Sequence, residues 1–228
     1  MNIRHSLLNP RHWVRQMLPT SRRLLLEKSL RQLDLSACKS VLICGAGHDP
    51  YRHLFQGAQE YVCLDIEEVP GVTDVVADVL SMPFEDGRFD CVVATECMEH
   101  IADPFTLCSQ ITRVLKPGGR VVLSVPFMFH QHGDPYDFWR PTRHCLESLF
   151  KEFDNVEIIS HGHRLHVVSD LCSTASPGWL FAPLRLANHL LARLPGSLQR
   201  GHRTPSATTG FLLTATKSAN SSLHERAA

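Results

Sequence analysis

Three groups of residues stand at spacings where they can do chemistry. The first is Gly45-Ala46-Gly47, at the end of the apolar run Ser40–Cys44. Glycines at a strand-to-turn junction reach positive φ and let a ligand come close to the main chain. The second is a pair of carboxylates, Asp65 and Asp78, each closing an apolar run. Asp65 follows Gly47 by 18 residues, at the end of YVCLD. A carboxylate in that place accepts hydrogen bonds from two ribose hydroxyls, and Asp78 can accept from an exocyclic adenine amine. The third is the polar segment FMFHQHGDPYDFWR, residues 127–140.

That segment has the residue types for proton removal. A hydroxyl that accepts an electrophile must lose its proton, and His or Asp suits that at neutral pH. His130 and His132 alternate about Gln131, so an extended backbone points both the same way. His132 is the first candidate for a general base and His130 the second. Asp134 and Asp137 can orient a histidine. Arg140 either binds an anionic group on an acceptor or braces the loop against the aspartates. His-x-His beside carboxylates is also a donor set for a divalent metal. No further ligands stand at metal spacing, so no metal is assigned, and Glu99-His100 is read as structural.

The glycine turn also narrows the nucleotide. A dinucleotide fingerprint needs a third glycine, to seat a pyrophosphate on a helix N-terminus. Pro50 occupies that position. The pattern therefore favours a nucleoside ligand without a pyrophosphate.

Apolar strands alternating with helices must position these residues. Strands are expected at Ser40–Cys44, Tyr61–Asp65, Thr73–Ala77, Phe89–Thr95, Arg120–Val125, Val156–Ser160 and Thr209–Thr216. Helices are expected at His48–Gln56, after Asp103-Pro104, where Asp caps and Pro is preset at the first helical position, and at Thr142–Phe150. Phe105, Cys108, Ile111 and Leu115 stripe the helix after Asp103. Lys116-Pro117-Gly118-Gly119 then stops it and turns the chain. The resulting fold class is α/β, a doubly wound, Rossmann-like, mostly parallel seven-stranded sheet with the last strand antiparallel. An N-terminal helix and a helical insertion before the last strand complete it.

Three regions divide the chain: a basic helical segment at 1–39, the α/β domain at 40–217, and a disordered tail at 218–228. In the first, Leu24, Leu25, Leu26, Leu30 and Leu33 form a stripe, with Arg22, Arg23, Lys28 and Arg31 largely off it. The insertion at 162–207 puts Leu184, Ala187, Leu190, Leu191 and Leu194 on one helical face, and Arg185, His189 and Arg193 on the other. It reads as a helix packed on the sheet, a lid, or a basic amphipathic contact with a membrane surface through 179–195.

With 228 residues, 43% apolar and 20% charged, the chain has the composition of one soluble domain. Net charge is zero but uneven: +6 over 1–40, −11 over 41–160 and +5 over 161–228. The acidic centre and scarce aromatics argue against nucleic acid. Eight cysteines without a C-x-x-C pair argue for a reducing compartment and against structural zinc. The first residues have no continuous apolar stretch of the secretory type, and no run long enough to span a membrane exists. A cytoplasmic protein is expected, with membrane contact limited to its periphery. The oligomeric state is not legible.

The run from Val41 to Phe150 resembles a class I S-adenosylmethionine-dependent methyltransferase of the type 11 kind. VLICGAGHDPYRHLF, YVCLDI, VADVLSMPFEDGRFDCVVATECMEH and VLKPGGRVVLSVPF carry the resemblance, in family order. It implies that Gly45, Ala46 and Gly47 lie against S-adenosylmethionine, that Asp65 binds its ribose, and that Ile66 flanks the adenine. Asp78 and Val79 match the adenine-contacting pair, and Thr95 and Glu96 line the cleft near the methionine part. Tyr51 and Arg52 stand where the first helix begins: they either help hold the methionine carboxylate, or Arg52 is a plain surface side chain. Two positions depart from the pattern: Ile43, where an acid is usual, and Asp49, where a third glycine is usual. HGDPYDFWR looks like a segment of type 11 enzymes associated with glycan or cell-surface biosynthesis. The expected activity is O-methylation, or secondarily N-methylation, of a small-molecule or glycan-type acceptor. A non-catalytic protein of the same fold and a nicotinamide-dependent oxidoreductase are the alternatives.

Overall fold

Alternate residues of the first strand, β1 (Ser40–Cys44), belong to different cores. Leu42 and Cys44 enter one cluster, Val41 and Ile43 another. A strand apolar on both sides needs both faces of its sheet covered. In the computed structural model, which describes residues 19–174, 182–200 and 207–219, this is the arrangement found. Helix α1 (Ser21–Leu30) covers one face through Leu26 and Leu30. Helices α2 (Pro104–Val114) and α3 (Arg143–Leu149) cover the other through Leu107, Ile111, Val114 and Leu146. Helix α1 is thus part of the core, and the boundary at 39/40 is not a packing boundary.

The other strands are β2 (Glu60–Asp65), β3 (Val75–Val76), β4 (Phe89–Thr95), β5 (Leu115–Pro126), β6 (Phe153–His161), β7 (Leu198–Gln199) and β8 (Gly210–Lys217). They form one sheet in the order β3-β2-β1-β4-β5-β8-β6-β7. β1 pairs in parallel with both β2 and β4, so the winding reverses between β1 and β4. Ligands of open α/β sheets bind outside the carboxyl ends of the strands at such a reversal. β8 runs antiparallel between β5 and β6, as expected of the last strand. The eighth strand is the two-residue β7, which the insertion adds along β6.

Local chemistry explains most element ends. The Asp103 carboxylate accepts from the backbone N–H groups of Phe105 and Thr106, both at 3.0 Å, and Pro104 begins α2. Thr142 Oγ1 accepts from Cys145 N at the start of α3. Phe105 is the exception on the α2 stripe: it is exposed, whereas Cys108, Ile111 and Leu115 are buried. In place of the helix expected over His48–Gln56, only a 3-10 turn forms, at Arg52–Phe55.

The insertion holds α4 (Arg164–Thr174) and α5 (Ala182–Leu191), packed in the opposite sense to their amphipathic pattern. Their inner faces are polar: Ser169, Asp170, Ser173, Arg185 and Asn188 are buried. Leu165, Val168, Leu171, Leu186 and Leu190 are exposed. The reason is a polar seam with α1. Asp170 accepts from Ser21 N at 2.6 Å and Arg22 N at 2.9 Å, satisfying the first N–H groups of that helix. Asn188 Oδ1 accepts from Ser21 Oγ at 3.0 Å and from Ser169 Oγ. Residues 1–18, 175–181, 201–206 and 220–228 lie outside the described residues; these include much of the basic N-terminal segment and nearly all of the tail.

Candidate active site

The carboxyl ends of β1, β2, β3 and β4 bring the nucleotide-binding candidates together. Gly45 and Gly47 have φ of +66° and +50°, the left-handed region that glycine enters freely. A Cβ on Gly45 would stand 2.8 Å from Cys97 Sγ, so the turn packs against the segment after β4. A Cβ on Gly47 would meet nothing within 4 Å, which leaves room for a ligand against its backbone. Asp65 Oδ2 accepts from Gly47 N at 2.8 Å, so the acid and the turn are set by each other. Ile66 is 69% exposed beside that acid, while Val79 is buried. Asp78 Oδ1 accepts from Leu80 N at 2.8 Å. Thr95 ends β4, and Glu96 follows with φ of 54°. An open glycine turn, an acid tied to it and an exposed apolar side chain fit an adenosine moiety.

The two departures from the family pattern compensate locally. Asp49 takes φ of 44°, a conformation that glycine supplies elsewhere and that Asp tolerates better than most residues. Its carboxylate accepts from Tyr61 Oη at 2.8 Å. Ile43 is a core residue packed on the α1 side of the sheet. Arg52 does not reach the cleft as a free cation: it lies 3.7 Å from Asp49 and 4.6 Å over the Tyr61 ring.

Arg22, from α1, is a buried cation at the carboxyl edge of the sheet. Its side chain is 13% exposed, not solvated as the leucine stripe of α1 suggests. It pairs with Glu96 Oε2 and stacks 4.3 Å over Phe129. Burial lowers its pKa, opposed by the charges of Glu99 and Asp170. Glu96 is also held by Ser124 Oγ, which donates to Oε1 at 2.8 Å. The signal for Arg22 was absent from local sequence, because its partners come from strand ends far along the chain.

On the acceptor side, Asp137 organises the loop after β5. It forms a two-pronged pair with Arg140, Nη1–Oδ1 2.6 Å and Nη2–Oδ2 2.7 Å, and accepts from His132 N at 2.7 Å. Arg140 holds the Asp137 carboxyl down at about 2, burial notwithstanding. Arg140 therefore braces the loop. Asp134 accepts from Gln131 Nε2 at 2.9 Å, on the exposed side. His130 and His132 line one cavity of about 220 Å³ with Thr20, Arg23, Phe129, Thr174 and Arg185. Burial, with help from Arg22, pushes the His132 imidazole down to about 4. The ring is neutral at physiological pH.

Glu99 and His100, set aside as structural, lie in the same cluster. Glu99 is fully buried, and burial raises its pKa. Its Oε1 is 3.8 Å from Nε2 of both His132 and His100. One sequence signal existed: Glu99 follows β4 at the carboxyl edge, where α/β sheets collect functional groups.

The doubly wound sheet described here is a fold shared with solved S-adenosylmethionine-dependent methyltransferases. Residues 44–123, about a third of the chain, match the family model for the methyltransferase domain. S-adenosylmethionine is the cofactor of that family. The chain is 46% identical over 48 residues to chloroplastic tocopherol O-methyltransferase of Arabidopsis thaliana, covering 21% of this chain and 14% of the relative. It is 35% identical over 68 residues to norajmaline N-methyltransferase of Rauvolfia serpentina, 30% of this chain and 20% of that one. The matches thus span a fifth or less of these enzymes. A solved S-adenosylmethionine-dependent methyltransferase from Archaeoglobus fulgidus superposes with a TM-score of 0.58 at 18% identity, over 92% of this chain and all of that one. This likeness is one of fold.

Proposed function

We propose that the protein transfers a methyl group from S-adenosylmethionine to an oxygen of a small-molecule or glycan-type acceptor. One observation carries the choice of oxygen: a neutral imidazole and a buried carboxylate, His132 and Glu99, stand together beside a cavity at the carboxyl end of β5. When bound, the cofactor supplies an activated methyl that moves by in-line displacement. Asp65, Asp78 and the Gly45–Gly47 turn would hold the adenosine half. Arg22 and Glu96 would border the methionine half, with Thr95 at the cleft floor. His132 would take the acceptor proton, with His130 beside it and Asp137 keeping its ring in place. Arg140 is committed to Asp137, so an anionic group on the acceptor would meet Arg23 at the cavity wall.

Calorimetric titration with S-adenosylhomocysteine and with NADH tests the cofactor. Micromolar or tighter binding of the first alone is expected; binding of neither supports a scaffold, and binding of NADH refutes the reading. Incubation with labelled S-adenosylmethionine and a panel of hydroxylated and amine acceptors tests the reaction. Label confined to amines overturns O-methylation. His132→Ala is expected to lower turnover by about 10²–10⁴-fold, the range for a lost general base.

A further inference from the structure

Glu99 has a buried carboxylate with little to hold it. Neither oxygen accepts a hydrogen bond from another residue. Such a group is costly unless a cation or donors meet it. What faces it instead is a pair of imidazoles, each with Nε2 at 3.8 Å from Oε1. The opposite nitrogen of each ring is already engaged. His100 Nδ1 lies 2.5 Å from Tyr136 O, and a carbonyl only accepts, so Nδ1 carries the hydrogen. His132 Nδ1 lies 3.3 Å from His130 O and 3.6 Å from Asp137 Oδ2, again acceptors. Arg140 Nη2, 3.4 Å from the same nitrogen, is engaged more closely by Asp137 at 2.7 Å. With Nδ1 as the nitrogen that donates, each Nε2 is left to present its lone pair. Three lone-pair donors thus converge, all within 4.8 Å of one another. Arg22 and Arg140 are nearby cations, but Arg22 engages Glu96 and Phe129, Arg140 engages Asp137, and neither hydrogen-bonds to Glu99.

We propose that Glu99, His100 and His132 hold one divalent transition-metal ion beside the cleft. Two imidazoles and a carboxylate suit zinc, manganese or iron rather than magnesium or calcium. Ligands about 2.1 Å from an ion stand roughly 3.4 Å apart in a tetrahedron. The two Glu99–histidine separations of 3.8 Å need a small contraction, and the third edge, between the two imidazoles and within 4.8 Å, closes by up to about 1.4 Å through ring rotation. Tyr136 O and His130 O supply the outer hydrogen bonds that fix metal-binding imidazoles. Gly133 permits the packing, since a Cβ there would stand 2.6 Å from His100 Cε1. Three protein ligands leave a position for an outside oxygen. If the methyl-transfer reading holds, that oxygen is the acceptor hydroxyl, and with the His132 Nε2 lone pair on the ion it is the ion, in place of His132 as free base, that makes the proton easier to lose.

The test uses tag-free, chelator-treated full chain without cofactor or acceptor, so its failure is separate from failure of S-adenosylhomocysteine to bind. Cobalt(II) is titrated and followed by its visible absorption, then displaced with zinc. One equivalent, bound at micromolar concentration or tighter, is expected. Glu99→Gln and His132→Ala should each weaken binding at least tenfold with unchanged circular dichroism, while His144→Ala, at an exposed His144–Glu147 pair, should not. A zinc-dependent rise in melting temperature should be present in wild type and absent in Glu99→Gln. No binding, binding that survives both site variants, or a thiolate-to-cobalt charge-transfer band would overturn the assignment.

The outward faces of α4 and α5 carry a second inference. Leu165, Val168, Leu186 and Leu190 are each more than half exposed on helices whose polar faces are spent on α1. Between residues 161 and 200 the single acid, Asp170, is buried, whereas Arg164 and Arg193 are exposed. We infer that this face docks on an anionic lipid surface, apolar side chains inward and arginines at the headgroups. Co-sedimentation at low salt should show binding to vesicles containing phosphatidylglycerol and little to phosphatidylcholine alone. Leu186→Ser with Leu190→Ser should weaken it at least fivefold. No binding, binding untouched by the double variant, or concentration-dependent dimerisation lost in that variant would refute it.

Discussion

Replacing Asp170 with alanine tests how α1, and Arg22 with it, is tied to the domain. Asp170 is fully buried and accepts from the first two N–H groups of α1. Two hydrogen bonds to a charged acceptor are worth about 1.5–3 kcal/mol each, so the gross loss is about 3–6 kcal/mol. Burial, however, raises the carboxyl from 3.8 to about 6. Ionising it at pH 7 therefore costs the folded state about 3 kcal/mol. The expected net loss for Asp170→Ala is at most about 3 kcal/mol at pH 7. A raised folded pKa makes this residue's contribution full below about pH 4 and diminished as pH rises through about 6. The loss should thus grow by about 1 kcal/mol between pH 7 and pH 5. Urea denaturation of both proteins at the two pH values measures this, with the m-value checking two-state behaviour. Protease sensitivity of residues 31–39 should rise in parallel. A loss that stays flat or shrinks from pH 7 toward pH 5 would refute the reasoning.

Asp65→Asn removes a charged acceptor at the nucleoside site and should weaken S-adenosylhomocysteine by about 10–100-fold in calorimetry, with the melting temperature nearly unchanged. Gly45→Ala forces positive φ on alanine and pushes Cβ into Cys97 Sγ, an expected loss of about 2–4 kcal/mol; adding Cys97→Ala should restore the steric share, as a double-mutant cycle will report. Asp137 titrates at about 2, below its ordinary 3.8, so its stabilisation is present above about pH 4 and lost as pH falls through about 2. That limb is worth about 2 kcal/mol and should flatten in Arg140→Gln, read from stability at pH 2, 3 and 5.

The amino-acid sequence alone determined the alternation of strands and helices and pointed to the sheet edge where the nucleoside is proposed to bind. Those signals are local: an apolar run, a glycine turn, an acid at the run's end. Strand β4 and the capped start of α2 are found where residue types alone put them. Tertiary structure decided whatever depends on residues far apart in the chain. Arg22 looks like a surface residue of an amphipathic helix until β4 brings Glu96 to it, and Asp170 is a lone acid until it meets α1 across 149 residues. Glu99, His100 and His132 form a cluster only because β4 and β5 are parallel neighbours, which sets the loops after them side by side at one edge. The inverted packing of α4 and α5 was hidden for the same reason. Periodicity shows that a helix has two faces, but the buried Ser21–Asn188–Asp170 seam determines which of them turns inward.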